Sequence, residues 1–190
     1  CERRQVTVHD LSGERTYVEG YDKLILAPGA SPVRPPIPGA DDPHVHALRT
    51  IEDMEGIDSA VEAAAGGRAV VIGGGFIGLE MAENLTKRGL DVAVVETLPQ
   101  VMAPLDAEMA QIVHNHLLRQ GVALFLGKAA SAIERKGARL VVRLQDGAAL
   151  GCDLVVLGAG VRPETWLAEE AGLEIGSTGG IKVDEQLRTS

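Results

Sequence analysis

Gly73, Gly75 and Gly78 stand at the spacing G-x-G-x-x-G, and Glu96 follows roughly 20 residues further on. This combination does the chemistry of nucleotide recognition rather than of bond breaking. Gly73 permits a tight turn off a strand. Gly75, with no β-carbon, lets bare main chain approach a pyrophosphate. Gly78 lets a helix pack close to the sheet, and Ala82 extends that small face one turn later. Gly74, Phe76 and Ile77 fill the turn and open the helix, whose first N–H groups and partial positive charge suit phosphate. A carboxylate at Glu96 would accept a hydrogen bond from an adenine-ribose 2′-OH and repel a 2′-phosphate. No arginine follows before Arg119, so NADH is expected rather than NADPH. The plain alternative is a glycine turn with no ligand.

The elements around the turn decide between these readings. Arg68–Ile72 is an apolar run suited to a buried strand, residues 76–88 read as a helix stopped by Gly89, and Asp91–Glu96 reads as a second strand ending in the acid. This is a βαβ unit of about 30 residues. Upstream, residues 50–65 read as a helix opened by a capping box of Thr50 and Asp53, with Met54, Ile57 and Val61 on its inner face and Gly66-Gly67 as its stop. Downstream, Asp106 caps a helix whose apolar stripe is Met109, Ile112, Val113, His116 and Leu117, ended by Gly121. Residues 122–126 follow as a third strand. Residues 132–134 and 139–144 read as meander strands, with turns at Lys136-Gly137 and Asp146-Gly147. Leu154–Leu157 is a fourth buried strand running into Gly158-Ala159-Gly160.

The flanks read differently. Residues 6–8 and 16–18 form a hairpin, and Lys23–Ala27 is a short apolar run suited to a buried strand. Five prolines between Pro32 and Pro43 make a stiff connector. Arg162-Pro163 opens a helix to Ala171 in which Trp166 packs, and residues 180–183 are strand-like.

The segment Gly-Gly-Gly-Phe-Ile-Gly-Leu-Glu at 73–80 resembles the NADH-binding motif of the FAD-dependent pyridine nucleotide–disulfide oxidoreductases. The stretch 21–30, Tyr-Asp-Lys-Leu-Ile-Leu-Ala-Pro-Gly-Ala, looks like the strand and turn that lie against FAD before the NADH domain. Gly160-Val161-Arg162-Pro163 resembles the return into the FAD domain. Val101-Met102 and Leu105-Asp106 look most like the coenzyme A-disulfide reductase and NADH oxidase/peroxidase branch. The resemblance implies an α/β fold, with a Rossmann-like parallel sheet of four strands flanked by helices and a small antiparallel three-stranded meander. It implies an NADH-binding domain at 51–160, a partial FAD-domain segment with its linker at 1–50, and a partial return segment at 161–190. NADH contacts are expected from residues 73–78, Glu80, Glu96 and Gly160, with Glu80 toward the nicotinamide side. FAD-side contacts are expected from Ala27, Pro28 and Gly29.

The implied parent activity is hydride transfer from NADH to flavin, and onward to a disulfide, peroxide or oxygen. Expected partners are NADH and the remainder of the FAD domain, with a homodimeric parent. Cys1 lacks an initiator Met before it, and the end at Arg188-Thr189-Ser190 is extended, so both ends read as cuts through a longer protein that alone would not turn over. A non-catalytic redox-sensing module with the same glycine turn is the competing reading, but no basic recognition helix is visible for it.

Composition narrows the classes. Across 190 residues the formal net charge is −9 and aromatics are 3%. Neither phosphate neutralisation nor base stacking suits such a chain, so nucleic acid is not expected as a partner. No apolar run approaches a membrane span, so no membrane partner is expected. The two cysteines, Cys1 and Cys152, form no C-x-x-C and no metal-ligand spacing, which fits a reducing cytoplasmic setting. Cys1 reads as incidental and Cys152 as an inert thiol. His114 and His116, two apart on one helix, point in different directions and read as surface or half-buried. No residue is assigned a catalytic or metal-binding role.

Overall fold

The structure, a computed structural model, describes residues 3–190, so the reading of Cys1 falls outside the described residues. These residues form two compact units, one running to Ala30 and resuming at Arg162–Ser190, the other comprising Ser31–Val161.

The larger unit is built on a parallel sheet. Strands β4 (Val45–Ala47), β5 (Arg68–Ile72), β6 (Asp91–Glu96), β7 (Ala123–Leu126) and β11 (Leu154–Leu157) lie in the order β4-β11-β5-β6-β7. The βαβ unit has the bounds its sequence implies, with β5 beside β6 in the register Ile72↔Val95. The sheet has five strands where four were expected. The fifth is β4, a three-residue edge strand paired Val45↔Val155. A strand this short shows no period, so only its partner reveals it.

Continuous apolar runs mark strands covered on both faces. Ala69, Val71, Val92, Val94, Leu154 and Val156 pack toward helices α1 (Ile51–Ala64), α2 (Phe76–Lys87) and α3 (Ala107–Arg119). Val70, Ile72, Ala93, Val95, Val155 and Leu157 pack against the antiparallel meander β8 (Ala130–Lys136), β9 (Arg139–Leu144) and β10 (Ala149–Cys152). The period-2 alternation of side chains thus divides each strand between a helical layer and a β layer.

Helix α1 starts with the expected capping box, in which Asp53 N–H donates to Thr50 Oγ1 at 3.2 Å and Thr50 N–H donates to Asp53 Oδ2 at 2.9 Å. Ile57 and Val61 are buried, but Met54 is exposed. In α3, Asp106 occupies the N-cap without a side-chain hydrogen bond to the helix. The buried face of α3 is Ala110, His114 and Leu117, while Met109, Ile112 and His116 are exposed. Apolar residues surround this helix, so their spacing leaves its rotation open. Small Ala110 and hydrogen-bonded His114 set it.

The smaller unit holds the hairpin β1 (Gln5–Asp10) and β2 (Arg15–Gly20), paired Val6↔Glu19 and Val8↔Tyr17. The apolar run at Lys23–Ala27 forms no strand, and Ile25 is 88% exposed. An extended run becomes a strand only when a neighbouring ladder accepts its backbone, and none does among the described residues. The helix expected from Arg162 is shorter. Pro163 holds the residue before it extended, Val161–Pro163 forms β12, and α4 spans Trp166–Glu170. Trp166 does not pack inward and is 57% exposed. At 180–183 the structure has one isolated bridge, Ile175↔Ile181, rather than a strand. The chain passes between the units at β3 (Ala30–Pro32) and at β12.

Candidate nucleotide cleft

The glycine turn closes around three main-chain contacts that exclude side chains. Gly73 has φ +116, and a β-carbon there would lie 2.2 Å from the Gly158 carbonyl oxygen. A β-carbon on Gly78 would lie 2.0 Å from the Gly73 carbonyl oxygen, and one on Gly158 would lie 2.8 Å from Gly78 Cα. The ends of β5 and β11 and the first turn of α2 therefore touch backbone to backbone. Gly73 N–H donates to Val95 C=O at 2.8 Å, and Gly158 N–H to Ile72 C=O at 2.7 Å.

Gly75 differs. It is the N-cap of α2, with extended φ −81 and ψ −172 and no side-chain cap. A β-carbon on it would meet nothing within 4 Å. The start of α2 thus presents uncapped helix N–H groups beside open space, a ready seat for an anion.

Glu96 ends β6 at the same corner. Its Oε2 accepts Gly74 N–H at 2.6 Å, and its Oε1 accepts Leu98 N–H at 2.8 Å and Thr97 Oγ1–H at 3.0 Å. Three donors fix the carboxylate at the mouth of the turn. Gly74 is a glycine for this reason, since a β-carbon would lie 3.1 Å from Glu96 Oε2 and 2.9 Å from Val101 Cγ1. Sequence spacing treats Gly74 as a free position, and the cross-chain contact makes it a constrained one.

These residues line a cleft of about 440 Å³ that also includes Thr97, Pro104, Lys128 and Gly160. Glu96 and Lys128 are its ionisable lining residues. Lys128 Nζ is paired with Asp146 Oδ2 at 2.5 Å, and Lys128 N–H donates to Glu96 C=O at 2.9 Å. The cleft can therefore hold and orient a polyanion with a hydroxylated sugar, while its lining offers no imidazole or thiol to attack one.

Gly73, Gly74, Gly75, Phe76, Ile77, Glu96 and Gly160 come together here, with Gly78 directly beneath the turn. Glu80 lies elsewhere. It is exposed on α2 and lines the neighbouring groove between α2 and α3 with Leu79, Glu83 and His116. Ala27, Pro28 and Gly29 belong to the smaller unit, where Gly29 has φ +78 and its carbonyl accepts Glu164 N–H at 3.0 Å.

Gly158 and Lys128 escaped the sequence reading. Gly158 sits two residues before Gly160 in a run already marked as glycine-rich, and only its contact with Gly78 separates the two. His114, expected to be at the surface or half-buried, is buried at 8% exposure, and its Nε2 accepts Val101 N–H at 3.1 Å. Cys152 is fully buried at the end of β10. Burial, and then the charge of Asp153, push its thiol up to about 12. No group of three or more His, Cys, Asp or Glu among the described residues could hold a metal ion, and no described helix is long and apolar enough to cross a membrane.

A family model described as pyridine nucleotide-disulphide oxidoreductase matches residues 2–190. An NADH oxidase from Methanocaldococcus jannaschii is 43% identical over 171 residues, covering 90% of this chain and 38% of that protein. The large subunit of an NAD(P)H nitrite reductase from Klebsiella oxytoca is 40% identical over 190 residues, covering 100% of this chain and 19% of that protein. Among solved structures, reduced CoADR-RHD from Bacillus anthracis superposes with a TM-score of 0.92 at 43% identity, covering 99% of this chain and 34% of that one. The chain thus spans between 19% and 38% of the length of these proteins. The likenesses to an NADH oxidase and to CoADR-RHD agree with the branch that residues 101–106 resemble.

Proposed function

The chain belongs to the pyridine nucleotide-disulphide oxidoreductase family, and from that premise we propose that Ser31–Val161 seats NADH for hydride transfer to FAD in the parent protein. The observation that carries this reading is the pairing of Glu96 with the glycine turn. The carboxylate is anchored on Gly74 N–H beside a Gly75 whose α-carbon faces open space. The NADH oxidase, and the nitrite reductase named for NAD(P)H, make a nicotinamide nucleotide the natural occupant.

In this reading the residues act by holding and orienting. Gly75 and the N-terminus of α2 receive the pyrophosphate on bare N–H groups, where the helix dipole favours negative charge. Glu96 accepts a hydrogen bond from the adenine-ribose 2′-OH and disfavours a 2′-phosphate by like-charge repulsion. Its own three donors hold it in place, so little ordering is required on binding. Gly160, at φ +98 with open space around it, leaves room on the far side of the turn. When bound, the nicotinamide supplies a hydride and the flavin accepts it. Ala27, Pro28 and Gly29 are assigned to the FAD side.

Titration of the purified protein with NADH and with NADPH, followed by calorimetry or nucleotide fluorescence, tests the assignment. Saturable NADH binding that exceeds NADPH binding at least tenfold supports it. No saturable NADH binding, or equal affinity for both, overturns it. This chain without the remainder of the FAD domain is expected to show no turnover of NADH with added FAD, followed by nicotinamide absorbance.

A further inference from the structure

Two features of the cleft wall are not explained by contacts to a nucleotide. The connection from β6 to α3, residues 97–106, folds back over the glycine turn, and Met102 within it has φ +51. A non-glycine residue holds that left-handed conformation only where its surroundings over-determine it. The second feature is the burial of His114 on α3, with its ring nitrogen accepting a backbone N–H from that same connection.

These features belong to one chain of contacts. His114 Nε2 accepts Val101 N–H at 3.1 Å. Because the nitrogen accepts, it carries no proton, and the ring acts as an acceptor at this point. Val101 is fully buried, and its Cγ1 would lie 2.9 Å from a β-carbon on Gly74. The next residue, Met102, donates its N–H to Gly74 C=O at 2.8 Å. Gly74 N–H in turn donates to Glu96 Oε2 at 2.6 Å. Both polar groups of the Gly74 backbone are thus spoken for, one by Glu96 and one by the segment that His114 holds down.

We propose that His114 is a positioning residue for the nucleotide cleft, fixing the 97–106 connection against Gly74 so that Glu96 keeps the orientation that selects NADH. This inference rests on the nucleotide reading of the cleft. Its physical basis is the cost of an orphaned donor. Without the imidazole acceptor, the N–H of the fully buried Val101 is left unpaired, and the connection must move outward to satisfy it. That movement withdraws Val101 and Met102 from Gly74 and frees the carboxylate anchored there. A lesion that merely loosens the core leaves this chain of contacts intact.

The test compares three variants of the intact protein. His114→Gln keeps an acceptor oxygen near the position of Nε2, His114→Leu removes it at similar volume, and Leu117→Ala opens a cavity on the same buried helix face. Each is assayed for NADH and NADPH affinity, for the unfolding midpoint, and for amide hydrogen exchange over residues 97–106. The expected result is that His114→Leu weakens NADH binding roughly tenfold and lowers the NADH-to-NADPH preference, with faster exchange in the connection. His114→Gln stays within about threefold of the parent in affinity. Leu117→Ala lowers the unfolding midpoint but leaves the preference unchanged.

Equal loss in the Gln and Leu variants, or a preference unmoved by His114→Leu, overturns the proposal. If the parent protein binds no NADH, the nucleotide reading fails and the selection role with it. Exchange that rises in the Leu variant and not in the Gln variant then still marks His114 as the clamp of the connection, which separates the two failures.

Discussion

Glu96 Oε2 and Gly74 N–H are 2.6 Å apart across 22 residues of sequence, and this bond joins the acid that closes β6 to the turn that leaves β5. One carboxylate thereby serves two ends, holding the turn and facing the cleft. Glu96→Ala is expected to lower the NADH-to-NADPH affinity ratio about tenfold or more, since hydrogen bonds to a charged group are worth about 1.5–3 kcal/mol. Glu96→Gln keeps an acceptor for Gly74 and should preserve the unfolding midpoint better than the alanine variant while still losing discrimination. Paired binding titrations and thermal melts check both, and an unchanged ratio would show that the carboxylate does not meet the ribose.

Gly75 and Gly78 should separate binding from folding. Gly78→Ala forces a β-carbon to within 2.0 Å of the Gly73 carbonyl oxygen, so the helix must back away from the strand. A loss of about 3 kcal/mol is expected in urea denaturation. Gly75→Ala meets no atom within 4 Å and has φ −81, which alanine adopts freely. Its stability should stay within about 0.5 kcal/mol of the parent, yet its new methyl group occupies the anion seat and NADH affinity should fall. A Gly75→Ala protein that binds NADH normally would move the pyrophosphate elsewhere.

Cys152 predicts the alkaline limb of stability. Its thiol is raised from an ordinary 9.0 to about 12, chiefly by burial and then by Asp153. For a group whose folded value is raised, the contribution is complete below the unfolded value and disappears as pH climbs through the folded one. Unfolding free energy should therefore fall between about pH 9 and pH 12, and Cys152→Ala should fall less over that range. In the native protein the thiol should resist alkylation at neutral pH and react once urea exposes it. Rapid native labelling would contradict the burial.

Asp42 governs part of the acid limb. Arg135 Nε donates to Asp42 Oδ2 at 2.8 Å, and this hydrogen bond, followed by that from His44 N–H, holds the carboxyl below the usual carboxylate range against the opposing effect of burial. A depressed folded value contributes stability above the unfolded value and loses it as pH falls through the folded one. Asp42→Asn should cost on the order of 1 kcal/mol at neutral pH, with the difference from the parent shrinking below about pH 4. Chemical denaturation across pH reads the effect, and a constant difference would assign the loss to packing instead.

The sequence by itself determined the βαβ unit, its glycine turn and the acid that closes its second strand. Glycine spacing is a steric requirement, apolar runs are a burial requirement, and the acid at the end of β6 is placed by chain length alone. For those reasons β5, β6 and the start of α2 were legible residue by residue, and of the meander only Arg139–Leu144 was, the strand before it being read too short and the one after it having no residues assigned. Tertiary contact decided the remainder. Val45–Ala47 is a strand only because Leu154–Leu157 offers its edge, while the apolar run Lys23–Ala27 finds no such edge among the described residues and stays irregular. The rotation of α3, the need for glycine at Gly74 and Gly158, and the burial of His114 are likewise set by atoms distant in sequence. Local pattern fixes what a segment can become, but hydrogen bonds and close packing between segments are pairwise properties, and no single stretch of chain contains both members of the pair.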